Sequence, residues 1–163
     1  MGVDNFSYGS DLIGFVKAES SYGTAVKPAA VDAFRASSIT LGAPVGREFP
    51  NDVRQTRSRI ERTTARTPVQ PWSAEGILRP SGTAGTAPDI NLILKQAFGT
   101  ETVAGGSSVT YSLKKDMTDL SMDVYRSNTD LGEGVTGAVV QNLAFNWTGD
   151  SYITWSASGV GKD

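Results

Sequence analysis

The segment 86–99, Thr-Ala-Pro-Asp-Ile-Asn-Leu-Ile-Leu-Lys-Gln-Ala-Phe-Gly, is the one stretch of this chain that reads as a helix. Ile90, Ile93, Leu94, Ala97 and Phe98 recur at i, i+3, i+4, i+7 and i+8, giving a single apolar stripe. Thr86 can cap the first turn, and Pro88 suits a position whose N–H has no partner anyway. Asp89 favours the positive end of the helix dipole, and Gly99 can turn left-handed to stop the helix. The spacing predicts a helix over 87–98, with Asn91, Lys95 and Gln96 largely turned away from the stripe. A helix this short is unstable alone in water and must lie on an apolar surface.

That surface is expected to be a sheet, because most other periodic stretches alternate. Leu12 to Lys17 is a short apolar run, and Phe34, Ile39 and Leu41 are strand formers. Trp72, Ala74, Gly76 and Leu78 share one strand face, with Ser73, Glu75 and Ile77 on the other. Val109, Tyr111 and Leu113 alternate with polar residues, as do Leu120, Met122 and Val124. Segment 102–107, with Gly105-Gly106, reads as a loop. Leu143, Phe145 and Trp147, then Thr148-Gly149-Asp150, then Ile153, Trp155 and Ala157 form the clearest hairpin signal. The helix stripe is expected to pack on a sheet containing Leu143, Phe145, Ile153 or Trp155. The fold expected is mainly β: an antiparallel sandwich or barrel with one flanking helix, as one domain over 1–163. Residues 1–11 carry few apolar side chains and read as an N-terminal arm.

Composition narrows the chemistry. The chain has no His and no Cys. Disulfide scaffolds, thiolate metal sites and every Ser-His or Cys-His mechanism are therefore excluded, and the fold suits a reducing compartment. The net charge of −2 gives no bulk attraction for nucleic acid. No apolar run reaches the ~18–20 residues of a membrane span, so no membrane partner is expected. Residues 1–10 show no basic-then-apolar leader pattern.

Segment 42–68 departs from the rest. It holds Arg47, Arg54, Arg57, Arg59, Arg62 and Arg66 against Glu48, Asp52 and Glu61, and Ile60 is the only large aliphatic between Val53 and Val69. A stretch this polar adds little to a core. It is also far longer than an ordinary connection of ~4–6 residues. Arg in place of Lys favours protein contacts, where the planar guanidinium pairs with carboxylates. The segment reads either as a hairpin arm whose six arginines form an inter-subunit interface, or as a solvated loop.

Other candidates are weaker. Asp116, Asp119 and Asp123 lack the spacing of a calcium loop and read as a solvated turn. Glu61 and Glu75 could pair as acids of a hydrolase, but nothing in the sequence places them together. Gly82-Thr83-Ala84-Gly85-Thr86 lacks the Gly-Lys-Ser/Thr ending of a phosphate loop and reads as a strand-to-helix connection. Trp72, Trp147 and Trp155 are candidate sugar platforms, but each sits on a strand face beside Leu, Phe or Ile, which points to core packing. No cofactor, metal or catalytic residue is expected, so the chain does not read as an enzyme.

Three stretches carry a family resemblance. They are Glu19-Ser20-Ser21-Tyr22-Gly23-Thr24-Ala25, Trp72-Ser73-Ala74-Glu75-Gly76-Ile77-Leu78-Arg79-Pro80 running into the helix that ends Ala97-Phe98-Gly99, and 137–147, Gly-Ala-Val-Val-Gln-Asn-Leu-Ala-Phe-Asn-Trp. Together with the long polar loop between the first two, they make the chain resemble the tail tube proteins of long-tailed bacteriophages. The resemblance spans most of the chain and involves no catalytic signature. It implies a structural virion protein: a β domain that forms homohexameric rings stacking into a hollow tail tube. Partners would be further copies, other tail proteins, and DNA passing through the lumen without specific binding. It also implies that 42–68 reaches into a neighbouring ring. Some members continue past the position of Gly159, whereas this chain stops at Asp163, as a compact member or as the first part of a longer protein. Other readings are a head–tail connector, tail terminator or capsid decoration protein, and, in a different class, a carbohydrate-binding β sandwich.

Overall fold

The structure, a computed structural model, describes residues 13–42, 45–48, 64–115, 122–127 and 132–162. Its strands are β1 (Ile13–Ala18), β2 (Ala33–Phe34), β3 (Ser38–Leu41), β4 (Val45–Glu48), β5 (Thr64–Ile77), β6 (Gly99–Ala104), β7 (Ser108–Leu113), β8 (Met122–Ser127), β9 (Gly132–Asn146) and β10 (Thr154–Lys162). One α-helix, α1 (Asn91–Phe98), lies among them, with a single 3-10 turn at Ala30–Asp32. The fold is mainly β with antiparallel pairing and one helix, as the alternation predicts.

The main sheet runs β2-β1-β8-β9-β10-β5-β3, with β4 added to β5 beyond β3, while β6 and β7 form a separate hairpin. The two ends of the main sheet, β2 and β3, are neighbours in sequence, joined only by 35–37. The sheet must therefore roll until its ends approach. A Cβ placed on Gly14 of β1 would collide with Ile39 Cδ1 of β3, so the two walls are in contact there. Phe34 of β2 lies 6.2 Å from Trp155 of β10, ring centre to ring centre. Among the described residues no ladder joins β2 to β3, so the roll stays open rather than closing into a barrel. With two residues, β2 is too short to supply one.

Alternation sets the inner wall. Gln70, Trp72, Ala74 and Gly76 of β5 face inward, opposite Gly161, Gly159, Ala157 and Trp155 of β10. Val16, Val124, Val135, Ile93 and Ile90 complete a core in which Ile93, Val124 and Val135 have no exposed surface. Burying one such side chain contributes ~1.5–3 kcal/mol, so this group outweighs any surface ion pair.

The helix is shorter than its sequence predicts. It begins at Asn91, not 87, because Thr86 N–H and Asn91 N–H close turns onto Thr83 and Pro88 carbonyls before it starts. Thr86 does not cap it: Ile90 holds that position without a side-chain bond. The C-terminal expectation holds. Gly99 has φ +105°, a value that suits Gly, and its N–H bonds Lys95 O. Ile90, Ile93 and Leu94 are buried and Phe98 is half-buried.

Gln96 corrects the stripe. The spacing turns it largely away from the stripe, yet it is 4% exposed. Its Nε2 donates to Ala138 O at 2.7 Å and its Oε1 accepts from Val140 N–H at 2.6 Å. Among the described residues the β8 ladder ends at Met122 opposite Ala138. The Gln96 amide, one donor and one acceptor, takes over the edge of β9 where β8 stops. Of the expected sheet partners, Trp155 is buried and Leu143 packs on the core, whereas Phe145 and Ile153 are only half-covered. Segment 102–107 is not all loop. β6 runs to Ala104, carried by β-branched Thr100, Thr102 and Val103, and turns at 105–107 into β7.

Candidate assembly surfaces

β10 pairs with β5 only from Gln70 to Ile77. Among the described residues, β5 below Gln70 pairs with β4 alone, through Val45↔Val69, Arg47↔Ala65 and Glu48↔Thr64. A two-stranded ribbon thus leaves the body where the sequence places the polar arm, as a hairpin would. β5 is ~45 Å long at ~3.3 Å per residue. Arg47 stands on β4 and Arg66 on β5. Arg54, Arg57, Arg59 and Arg62 lie outside the described residues, as do Glu61, Asp116, Asp119 and the N-terminal arm 1–11.

The outer face of β3, β5, β10 and the second half of β9 has a distinct chemistry. It carries Ser38, Thr40, Ser73, Asn142, Ser156 and Ser158, small side chains that register across the four strands. Over 38–41, 69–77, 142–146 and 154–160 the one charge on this face is Glu75, which is exposed. Glu75 therefore stands on an outer sheet face, and its candidate partner Glu61 lies outside the described residues.

Among the described residues the rim of this sheet is open. No described strand pairs with 141–146 of β9 on the side away from β10. An open edge offers its backbone N–H and C=O groups to another chain.

Two clefts flank segment 79–81. One, of about 630 Å³, is lined by Ile13, Phe34, Arg35, Arg79, Pro80 and Asp89, among others. The Asp89 carboxylate accepts Arg35 N–H at 3.1 Å; it does not cap α1. The other cleft, of about 730 Å³, is mostly apolar, between Leu94, Phe98, Tyr111, Phe145 and Ile153. Its rim includes Gly82 to Ala84, where Ser81 Oγ donates to the Thr86 carbonyl at 2.8 Å and accepts Thr83 N–H at 3.3 Å. That loop is a connection held by its own hydrogen bonds, as the sequence reads.

Beside this cleft Tyr111 donates to Asn91 Oδ1 at 2.7 Å. Its pKa is pushed up to about 12, first by burial and then by the Glu101 charge. A phenol held neutral is a structural donor and no acid-base group near neutral pH. Among the described residues no cluster of acids could hold a metal. No described helix is long and apolar enough to cross a membrane.

Trp72 and Trp155 are buried as expected, but Trp147 is 71% exposed and corrects the core assignment. It lies just past β9, beyond the last ladder pair Asn146↔Thr154, where alternation no longer turns a side chain inward. Sequence reasoning also missed Arg35, Arg79 and Asp150, each an isolated charge with no local motif. In comparisons with known proteins, no family model and no curated protein sequence matches the chain.

Proposed function

We propose that this chain is a structural subunit that joins copies of itself into rings, homohexameric by the family resemblance, which stack into the hollow tail tube of a long-tailed phage. On this reading it is a virion protein with no catalytic role and no cofactor, and its partners are further copies and other tail proteins. The observation that carries the proposal is the outer face of β3, β5, β10 and β9. Over 38–41, 69–77, 142–146 and 154–160 it carries Ser, Thr and Asn side chains beside Val69, Pro71, Ile77 and Val160, and Glu75 is its one charge; the cation Lys162 comes only at the end of β10. DNA passing this central part of the wall would meet no cation. Phosphate contacts with Lys or Arg would hold the passing strand, so a conduit needs a surface of this kind. The open edge of β9 supports lateral addition of a second subunit. A contact between two different flanks generates a ring when its rotation closes. The ribbon of β4 and β5 supports an arm that reaches beyond its own body.

The test is deletion of 53–64. The account expects a folded domain that no longer forms long tubes, because the arm's polar contacts are what link rings. Reversing Arg54, Arg57, Arg59 and Arg62 to Glu is expected to weaken stacking, and high salt to mimic it partly. A deletion variant that polymerises like the parent would make 42–68 a solvated loop. Rings that never stack would favour a connector, terminator or decoration role. Glycan binding by a monomer, through exposed Trp147 and Tyr152, would favour a carbohydrate-binding module.

A further inference from the structure

The β9–β10 hairpin tip, 147–152, presents an unusual surface. Trp147 is 71% and Tyr152 74% exposed, and between them Asp150 stands exposed at the turn closed by Ser151 N–H on Thr148 O. No ion pair engages Asp150 among the described residues. Two aromatic rings and a carboxylate therefore stand on one short, tightly turned segment.

The cleft beside Phe34 has the opposite character. Arg35 and Arg79 both line it, and neither is in an ion pair among the described residues. Arg126, by contrast, is held by Glu133. Among the described residues the one acid lining the cleft is Asp89, one of whose oxygens accepts the Arg35 backbone N–H. The cleft thus keeps a net positive charge over an apolar floor.

Their places in the sheet relate the two. Asn146 pairs with Thr154, Thr154 with Ile77, and Ser38 with Glu75, so tip and cleft lie at the same end of the strands. Leu78 N–H bonds Ile153 O at 2.8 Å, which ties the start of the cleft's segment to the tip. The tip sits on the β9 flank and Arg35 on the β3 flank, three strand spacings or ~14 Å apart. Lateral repetition of the subunit puts the tip of one copy against the cleft of the next, with no change of level.

We infer that the hairpin tip 147–152 of one copy docks into the Arg35–Arg79 cleft of the neighbouring copy in the same ring, Asp150 pairing with the guanidinium groups and Trp147 or Tyr152 stacking on them. Arg serves both roles, since its planar fork binds a carboxylate and its face lies on aromatic rings. The occupant is a second copy because the complement in charge is on the same chain, at the same end of the strands, on the opposite flank. This inference rests on the ring reading proposed above.

The test uses the absence of native cysteine. Chains carrying Asp150→Cys and chains carrying Arg35→Cys, both at exposed positions, are mixed, assembled and treated with a short bis-maleimide. The expected result is a cross-linked dimer in the mixture and none with either chain alone. Asp150→Arg is expected to lower the assembled fraction about tenfold at fixed concentration, and Arg79→Glu in the same chain to restore part of it. Rings that form without the mixed cross-link, or a charge swap that restores nothing, would overturn this contact and leave the ring reading standing. A parent chain that stays monomeric at every concentration would overturn both.

Discussion

The Glu19 carboxylate accepts the backbone N–H of Gly137 at 2.5 Å, across 118 residues of chain. Its other oxygen accepts Gly23 N–H at 2.9 Å. One side chain thus fastens the turn after β1 to the irregular middle of β9. Gly137 has φ +58°, and a Cβ there would meet the Tyr22 ring at 3.0 Å. The first and third stretches that carry the family resemblance are joined at this point.

Glu19→Ala is expected to cost ~1–3 kcal/mol, because two N–H groups lose a charged acceptor. Glu19→Gln should cost less, since its amide oxygen can keep one of them. Gly137→Ala should cost at least ~1 kcal/mol from its left-handed backbone alone. Urea denaturation of the three variants checks the order. A neutral Glu19→Ala would mean the clamp contributes nothing.

Gln96→Leu is expected to destabilise by ~2–4 kcal/mol despite its apolar setting. The substitution leaves Ala138 O and Val140 N–H short of a partner at a buried edge, and each unmet group costs ~1–3 kcal/mol. Denaturant unfolding beside Leu94→Ala, a cavity variant expected at ~2–5 kcal/mol, separates polar from packing loss. A Gln96→Leu variant as stable as the parent would contradict this reading.

These two residues also mark where the sequence is legible. Alternation read along Trp72, Ala74 and Gly76, and along Trp155 and Ala157, finds the inner wall, because strand faces are set by local geometry. The stripe Ile90, Ile93, Leu94 finds the helix for the same reason. The helix start is hidden because turns at Thr83–Thr86 and Pro88–Asn91 compete with it through hydrogen bonds that no propensity encodes. Gln96 is hidden because its partners lie 42 and 44 residues away. The polar face around Glu75 is visible as alternation, but its single charge emerges only when four strands are set in register. Arg35 and Asp150 become a pair of surfaces only through the topology.

Acid should remove one local support first. Lys17 Nζ donates to Asp32 Oδ2 at 2.8 Å, and Ala29 N–H donates to the same oxygen at 2.6 Å. The Lys17 bond, followed by that of Ala29, holds the Asp32 pKa below its ordinary 3.8. The folded pKa lies below the unfolded one, so this contribution is fully present above pH 3.8 and is lost as pH falls through the folded value. Asp32→Asn should lower stability at neutral pH and flatten that part of the acid limb, so that variant and parent converge as pH falls. An unaltered acid limb would contradict it.

The outer sheet face should tolerate no cations. Ser73→Arg with Ser156→Arg is expected to yield assemblies that retain DNA in low salt and release it as salt rises, while the parent retains none. A parent assembly that binds DNA as tightly as the variant would contradict the lumen assignment. Equal indifference in both would place this face away from the channel.

Electron microscopy of the purified protein over a range of concentrations tests the central claim most directly. The account predicts rings with an open centre, lined by β3, β5, β10 and β9, that stack into tubes as concentration rises. A protein that remains monomeric throughout, with the face around Ser73 and Glu75 exposed to bulk solvent, would contradict it.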